Sequence, residues 1–121
     1  MMEFNSSTPI YLQLMTAIQL KIVSGQLKAG DKIPSVRELA LQYQVNPNTM
    51  QKALSELERI QLLYTQRTSG RFVTEDADLI SQLRRKLAQT QMDVLIQNLK
   101  DMGYSNPEII QLITGYLEEM K

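Results

Sequence analysis

The alternation of hydrophobic and polar positions first predicts an amphipathic helix near the amino terminus. Between residues 10 and 23 the apolar side chains recur at helical spacing, at Leu12, Leu14, Met15, Ile18, Leu20 and Ile22. Thr8 is a favourable N-cap residue and Pro9 suits the first helical position, so we expect the helix to begin there. Ser24 and Gly25 end the pattern.

Two shorter amphipathic helices follow, separated by only a few residues. Ser35 and Glu38 have the spacing of a capping box and predict the start of the first. Asn46 as N-cap and Pro47 in the first turn predict the start of the second. Their apolar faces hold Val36, Leu39, Ala40 and Tyr43 in the first helix and Met50, Ala53, Leu54, Leu57 and Ile60 in the second. Two helices joined in this way are typical of a helix-turn-helix motif, whose second helix can enter the major groove of DNA.

The polar face at the start of the second short helix holds the candidate base-reading residues, Asn48, Thr49, Gln51 and Lys52. Asn and Gln can make paired hydrogen bonds to adenine, Lys can reach guanine or phosphate, and the Thr methyl group can contact a thymine methyl group. Taken alone, the same residues would form an ordinary solvated helix face. Their position directly after a helix-turn-helix connection favours DNA contact.

A basic β-hairpin is predicted next. Residues with high strand propensity on either side of Arg67-Thr68-Ser69-Gly70 indicate two short strands joined by a tight turn. A hairpin in this position is a wing, and we expect Arg67 and Arg71 to contact the DNA backbone or the minor groove. Between Lys28 and Thr74, seven basic residues against four acidic ones give a local charge of +3, although the whole chain has a net charge of zero. This local excess answers the objection that a neutral protein is poorly suited to bind phosphates.

The hydrophobic pattern changes after a polar break at residues 75–78. A long helix and a last helix capped by Asn106-Pro107 are predicted. Two helices carry more apolar surface than one helical hairpin can bury, so a second copy of the chain is the expected partner. The candidate dimer-interface residues are Leu83, Leu87, Val94, Leu95, Leu99, Ile109, Ile113, Tyr116 and Leu117. Tyr104 and Tyr116 either line a cavity between subunits for a small-molecule effector or pack in the core, and core packing is favoured.

Composition narrows the chemistry and the compartment. With 43% apolar residues among 121, the chain can bury a core of its own. It has no Cys and no His, which removes disulfides, thiol nucleophiles, the commonest metal ligand and the commonest general base. We therefore expect no enzymatic activity, no metal and no cofactor. The first residues lack the features of a signal peptide, so we expect a cytoplasmic protein that does not enter a membrane.

Over roughly residues 9–74, the chain resembles the winged-helix DNA-binding domain of GntR-type bacterial transcription regulators. The segments SGQLKAGDKIPSVRELA and VNPNTMQKAL, with the wing around Gly70, carry the resemblance in the order and spacing of the family. The short helical tail over residues 77–121 resembles that of the YtrA-like subfamily, in which the tail serves dimerisation.

The resemblance also implies which residues contact DNA. It assigns phosphate contacts to Ser35 and Arg37, recognition-helix positions to Asn48, Thr49, Gln51 and Lys52, and wing-tip positions to Arg67, Ser69 and Gly70. The chain departs from other subfamilies at Pro47 and Gln51, where they often have Arg, and it lacks the histidines with which one large subfamily binds metal. These departures leave less positive charge in the groove.

The sequence thus predicts a mainly α protein with a small β-hairpin, in which residues 1–76 form a winged helix-turn-helix domain and residues 77–121 form a helical dimerisation tail. The favoured function is a homodimeric, sequence-specific transcription regulator, expected to be a repressor, that binds palindromic double-stranded operator DNA. The alternative is a winged-helix module that docks on another protein without sequence-specific DNA binding. Failure to bind DNA at low salt would favour this alternative.

Overall fold

Five helices and one antiparallel hairpin make up the computed structural model, which describes residues 3–121. In chain order the elements are α1 (Ile10–Val23), α2 (Val36–Tyr43), α3 (Pro47–Arg59), β1 (Leu63–Gln66), β2 (Gly70–Val73), α4 (Ala77–Asp101) and α5 (Asn106–Glu119). The predicted fold class, mainly helical with a small hairpin after a helix-turn-helix, is confirmed. Within the described range, no helix is both long and apolar enough to cross a lipid bilayer.

The contacts divide the chain into two compact units, one that ends at Arg84 and one over Arg85–Lys121. Helix α4 starts at Ala77 and continues to Asp101, so it contributes to both units. The predicted domain boundary after residue 76 falls at the start of this helix and stays a prediction.

The start of α1 differs from the sequence prediction by one residue. Pro9, with φ −52° and ψ 140°, is the N-cap residue itself, and its carbonyl accepts hydrogen bonds from the Leu12 and Gln13 N–H groups. The prediction of Thr8 as N-cap is therefore wrong. The Thr8 carbonyl instead accepts a 2.7 Å hydrogen bond from Gln13 Nε2, whose amide also bonds the Asn5 backbone. A side chain from inside the helix thus secures the segment in front of α1.

Helices α2 and α3 begin as the sequence predicts. Ser35 Oγ accepts a hydrogen bond from the Glu38 N–H at 3.1 Å, and Glu38 Oε1 accepts one from the Ser35 N–H at 3.3 Å, which completes the capping box. Asn46 Oδ1 accepts a hydrogen bond from the Asn48 N–H at 2.7 Å, and Pro47 opens α3. Both helix starts are fixed by local side chains, which is why a local sequence pattern located them.

The core of the first unit lies between α1, α2, α3 and the hairpin. Its fully buried large side chains are Leu14, Met50, Leu54, Leu57, Leu62, Leu63 and Val73. Burying an apolar side chain of this size contributes about 1.5–3 kcal/mol. The three from α3 occupy one side of that helix, so their burial fixes its rotation and leaves the opposite side in solvent.

The hairpin of β1 and β2, hereafter the wing, is joined to the chain segment that leads into α2. The two strands pair in antiparallel register, with Leu63 opposite Val73 at the buried base. On the other edge of β2, an isolated bridge pairs Lys32 with Phe72. The start of α2 and the wing are therefore held close together by backbone hydrogen bonds.

The second unit buries little of its apolar surface. Ser105, through a capping box with Glu108, is the N-cap of α5, so the prediction of a cap at Asn106-Pro107 is one residue late. Ile109 is the one buried side chain within residues 85–121. The large apolar side chains exposed in this unit are Met92, Val94, Leu95, Met102, Tyr104, Ile110, Leu112, Tyr116, Leu117 and Met120.

Candidate nucleic-acid interface

The exposed side of α3 carries the predicted base-reading residues. Asn48, Gln51 and Lys52 are exposed, and Thr49 is half-buried. All four lie in the first two turns of the helix, whose other side is anchored in the core by Met50. The half-burial of Thr49 leaves its methyl group less accessible to a base than the other three side chains.

Two of these side chains are held by neighbours that the sequence analysis did not single out. The Lys52 ammonium lies 4.1 Å from the centre of the Tyr11 ring, a cation–π contact between α3 and α1. Gln51 Nε2 donates a 2.9 Å hydrogen bond to Ser55 Oγ. The four-residue spacing of Gln51 and Ser55 on a helix was a usable signal. The approach of Tyr11 depends on how two helices pack and leaves no local signal.

The start of α2 presents Ser35 and Arg37. Both side chains are exposed, and Arg37 forms no ion pair within residues 3–121. The Ser35 hydroxyl and N–H are both engaged by Glu38 in the capping box. A phosphate that approaches this helix start must therefore compete with the Glu38 carboxylate for the Ser35 N–H, whereas Arg37 can reach it directly.

A cleft of about 670 Å³ lies between the start of α2 and the wing. Lys32, Ser35 and Arg71 are among its polar lining residues, and Gly70 forms part of its wall. Gly70 has φ +111°, and a Cβ atom at this position would come within 3.0 Å of Lys32 Cε. Glycine therefore provides both the left-handed backbone and the space that Lys32 occupies. The sequence analysis counted Lys32 only as charge, but this exposed lysine is a further candidate for phosphate contact.

The tip of the wing presents Arg67 and Ser69, which are both exposed. The Ser69 N–H donates to the Gln66 carbonyl at 3.1 Å and closes the turn between the strands. Arg67 makes no ion pair in the part of the chain that the structure describes. The tip thus offers a guanidinium and a hydroxyl to the solvent, both of which suit contacts with a DNA backbone.

Arg71 is placed differently from the other candidates. Its Nε donates to Glu58 Oε1 at 2.6 Å, and only 17% of its side chain is exposed. The same carboxylate oxygen accepts a hydrogen bond from Thr65 Oγ1. Burial raises the pKa of Glu58, but the hydrogen bonds from Thr65 and Arg71 and the Arg71 charge outweigh it, so the net pKa lies below its ordinary value. Direct DNA contact by Arg71 stays a prediction, and this geometry does not favour it.

The exposed charge around the interface is mainly basic. The acidic side chains of α3, Glu56 and Glu58, are each paired with an arginine, at 2.8 Å and 2.6 Å respectively. Four exposed basic side chains make no ion pair within the described residues, namely Lys32, Arg37, Lys52 and Arg67. Among residues 3–121 there is no group of acidic side chains arranged to hold a metal ion.

The predicted dimer-interface residues differ in exposure. Val94, Leu95, Tyr116 and Leu117 are exposed, Leu87, Leu99 and Ile113 are half-buried, and Ile109 is buried within the second unit. Leu83 packs instead against the core of the first unit. Tyr104 and Tyr116 are 38% and 64% exposed, so the favoured interpretation of core packing is not observed for them within one chain.

Comparison with known proteins assigns most of the first unit to one family model and extends the similarity to the tail. The model described as bacterial regulatory proteins, gntR family, matches residues 10–73. The HTH-type transcriptional repressor YtrA of Bacillus subtilis is 38% identical over 111 residues, which cover 88% of this chain and 81% of that protein. A GntR family transcriptional regulator from Listeria monocytogenes has a solved structure with a TM-score of 0.86 and 39% identity, covering 93% of this chain and 98% of that chain.

One of the similar solved structures contains DNA. It is the DNA-binding domain of AraR in complex with operator ORR3, with a TM-score of 0.54 and 31% identity. The match covers 61% of this chain and 89% of that chain. In AraR, a domain of this fold therefore binds operator DNA.

Proposed function

We propose, on the premise that this chain belongs to the gntR family of bacterial regulatory proteins, that it represses transcription as a homodimer on a two-fold symmetric DNA operator. The chain is a helix-turn-helix transcription regulator, in keeping with its similarity to the YtrA repressor over most of both chains. The proposal adds the sign of regulation, the dimer and the symmetry of the operator.

The observation that carries the proposal is the orientation of α3, hereafter the recognition helix. Met50 and Leu57 are fully buried on one side, whereas Asn48 and Gln51 are exposed on the other. Amide side chains at the start of a helix suit base edges in the major groove. A helix face that served only solubility would be expected to carry mostly charged residues, yet Lys52 is the one charged residue among the first six of this helix.

The proposal divides the contacts between phosphates and bases. Arg37, Lys32 and Arg67 hold the DNA backbone and fix the position of the protein along the duplex, as does Ser35 where its N–H is released by Glu38. The base-reading residues are Asn48, Thr49, Gln51 and Lys52. Substitution in the first group lowers affinity for every sequence, and substitution in the second alters preference at particular base pairs.

The exposed apolar surface of the second unit supports a dimer. Its side chains include Val94, Leu95, Tyr116 and Leu117, and two copies related by a two-fold axis bury the same patch on each. The two recognition helices then enter major grooves about 34 Å apart or a multiple of that distance. Because a rigid operator accepts only one separation, a small-molecule effector that alters the dimer interface would change DNA binding.

Binding of the purified chain to double-stranded DNA at increasing salt tests the proposal. A protein that makes several phosphate contacts loses about 10³-fold or more in affinity between 50 and 200 mM salt. Arg37→Ala should lower the slope of log K against log salt by about 0.9, while Arg85→Ala, a matched change on α4, should leave it unaltered. Sedimentation of the complex should show two chains on each DNA. Absence of binding at 50 mM salt would favour a module that docks on another protein.

A further inference from the structure

We propose that Glu58 is a positioning residue that fixes the wing against the recognition helix through Thr65 and Arg71, and that Arg71 serves this link instead of contacting phosphate. The inference rests on the proposed DNA-binding function, because it concerns how the wing is aimed at the DNA. It assigns a role to an acidic side chain that lies beside the interface without facing the duplex.

A single carboxylate oxygen contacts both strands of the wing. Glu58 lies in the last turn of α3, and its Oε1 accepts hydrogen bonds from Arg71 Nε at 2.6 Å and from the Thr65 hydroxyl. Thr65 of β1 and Arg71 of β2 are directly opposite each other in the strand register. The carboxylate therefore bridges a cross-strand pair, and movement of either strand away from α3 breaks a hydrogen bond.

The link is better shielded from water than an ordinary surface ion pair. The Arg71 and Glu58 side chains are 17% and 30% exposed, whereas Arg59 and Glu56, which also pair on α3, are 70% and 33% exposed. Exposed ion pairs contribute little because water and salt screen them. The pair of Glu56 and Arg59 also joins residues of one helix, so it holds no second element in place.

The wing depends on contacts of this kind because a two-stranded hairpin has little stability of its own. Its base is anchored by the buried Leu63 and Val73, but Thr65 and the residues beyond it towards the tip are exposed. Glu58 reaches this outer half. A wing that is already restricted before DNA arrives places Arg67 on the backbone at a lower cost in conformational entropy.

The same geometry lowers the number of phosphate contacts expected from the wing. The Arg71 guanidinium is neutralised by Glu58, so the charged side chains directed at the backbone are Arg67 and the neighbouring Lys32. Loss of Arg71 should therefore weaken DNA binding without removing a phosphate contact. This separates positioning from direct contact in an experiment.

The first test uses the protein without DNA. Glu58→Gln removes the charge, Thr65→Val removes the second hydrogen bond, and Glu56→Gln is the matched control on the same helix. Amide hydrogen exchange in β1 and β2 is expected to be about tenfold faster in Glu58→Gln, intermediate in Thr65→Val and unchanged in the control. Unchanged exchange in α1 reports an intact core. Equal exchange of the wing in Glu58→Gln and Glu56→Gln would overturn the proposal.

The second test measures the salt dependence of DNA binding. Arg67→Met should lower the slope by the 0.9 or so expected for one phosphate contact. Arg71→Met and Glu58→Gln should each weaken binding about tenfold with the slope unchanged, and the double variant should bind no worse than either, because both changes remove one link. A slope reduced by about 0.9 in Arg71→Met, or additive losses, would overturn the proposal. If the unsubstituted chain binds no DNA, the proposed function fails, and the exchange measurement still decides the link.

Discussion

The Lys52 ammonium of the recognition helix lies 4.1 Å from the centre of the Tyr11 ring in α1. Tyr11 is half-buried, and the next turn of its helix buries Leu14 in the core. The position of a DNA-facing lysine is therefore set by the docking of α1 on α3. A ring beneath the ammonium restricts a side chain that would otherwise have many rotamers, which prepares it for contact with a base or a phosphate.

Tyr11→Leu is expected to weaken DNA binding about two- to fivefold, because an exposed cation–π contact contributes about 0.5–1 kcal/mol. Fluorescence anisotropy on one DNA duplex at fixed salt measures the effect. Tyr11→Phe keeps the ring and is the matched control, so it should bind as the unsubstituted chain does. Equal losses in the two variants would show that the hydroxyl matters instead of the ring.

Leu117→Asp is expected to dissociate the proposed dimer. A buried Leu contributes about 1.5–3 kcal/mol, and a two-fold interface contains each residue twice. Analytical ultracentrifugation over a range of protein concentrations measures the change in dimer dissociation constant, and DNA affinity should fall with it. Gln111→Asp introduces the same charge at an exposed polar position of α5 and should leave both unchanged. A dimer that survives Leu117→Asp would place the interface elsewhere.

Gln61→Gly is expected to stabilise the first unit. Gln61 has φ 67°, in the left-handed region, where a residue with a Cβ atom is disfavoured by about 1–2 kcal/mol and glycine is not. The gain in the free energy of unfolding should be about 1 kcal/mol after the greater entropy of glycine in the unfolded chain is subtracted. Gln42→Gly, the same change inside α2, should instead cost about 1 kcal/mol. Urea unfolding of both variants measures the difference in sign.

Glu58 should make stability depend on pH in a direction set by its lowered pKa. The ordinary value is 4.5, and the folded-state pKa is lower, so the ionised carboxylate stabilises the fold above about pH 4.5. This contribution is lost as the pH falls from there through the folded-state pKa. Urea unfolding at pH 7 and pH 3 should therefore show a difference between the unsubstituted chain and Glu58→Gln that narrows at pH 3. The same difference at both pH values would contradict the lowered pKa.

Most helix starts and the order of elements could be predicted because they depend on local contacts. The capping box of Ser35 and Glu38 and the cap at Asn46 lie within a few residues of the turns that they fix. The start of α1 was missed by one residue because Gln13, inside the helix, bonds back to the Thr8 carbonyl, and a prolyl carbonyl opens the helix. Such a back-bond competes with a hydroxyl cap and has no simple sequence signature.

The parts of the candidate site that escaped prediction depend on contacts between distant residues. The sequence shows Arg71 and Glu58 as two charges thirteen residues apart, and only the hairpin register brings them together. The contact of Tyr11 with Lys52 likewise follows from helix packing. Gln61 carried no turn signal, because a left-handed backbone was expected at glycine or asparagine.

The central claim is that the recognition helix reads bases in a two-fold symmetric operator. Selection of bound sequences from a random double-stranded DNA pool tests it most directly, with Gln51→Ala and Arg37→Ala selected in parallel. We expect an inverted repeat whose half-sites are about 10 base pairs or a multiple apart. Gln51→Ala should relax one position in each half-site by about 1–3 kcal/mol, and Arg37→Ala should weaken binding to all sequences alike. No enrichment at low salt, or an asymmetric site that Gln51→Ala leaves unchanged, would contradict the claim.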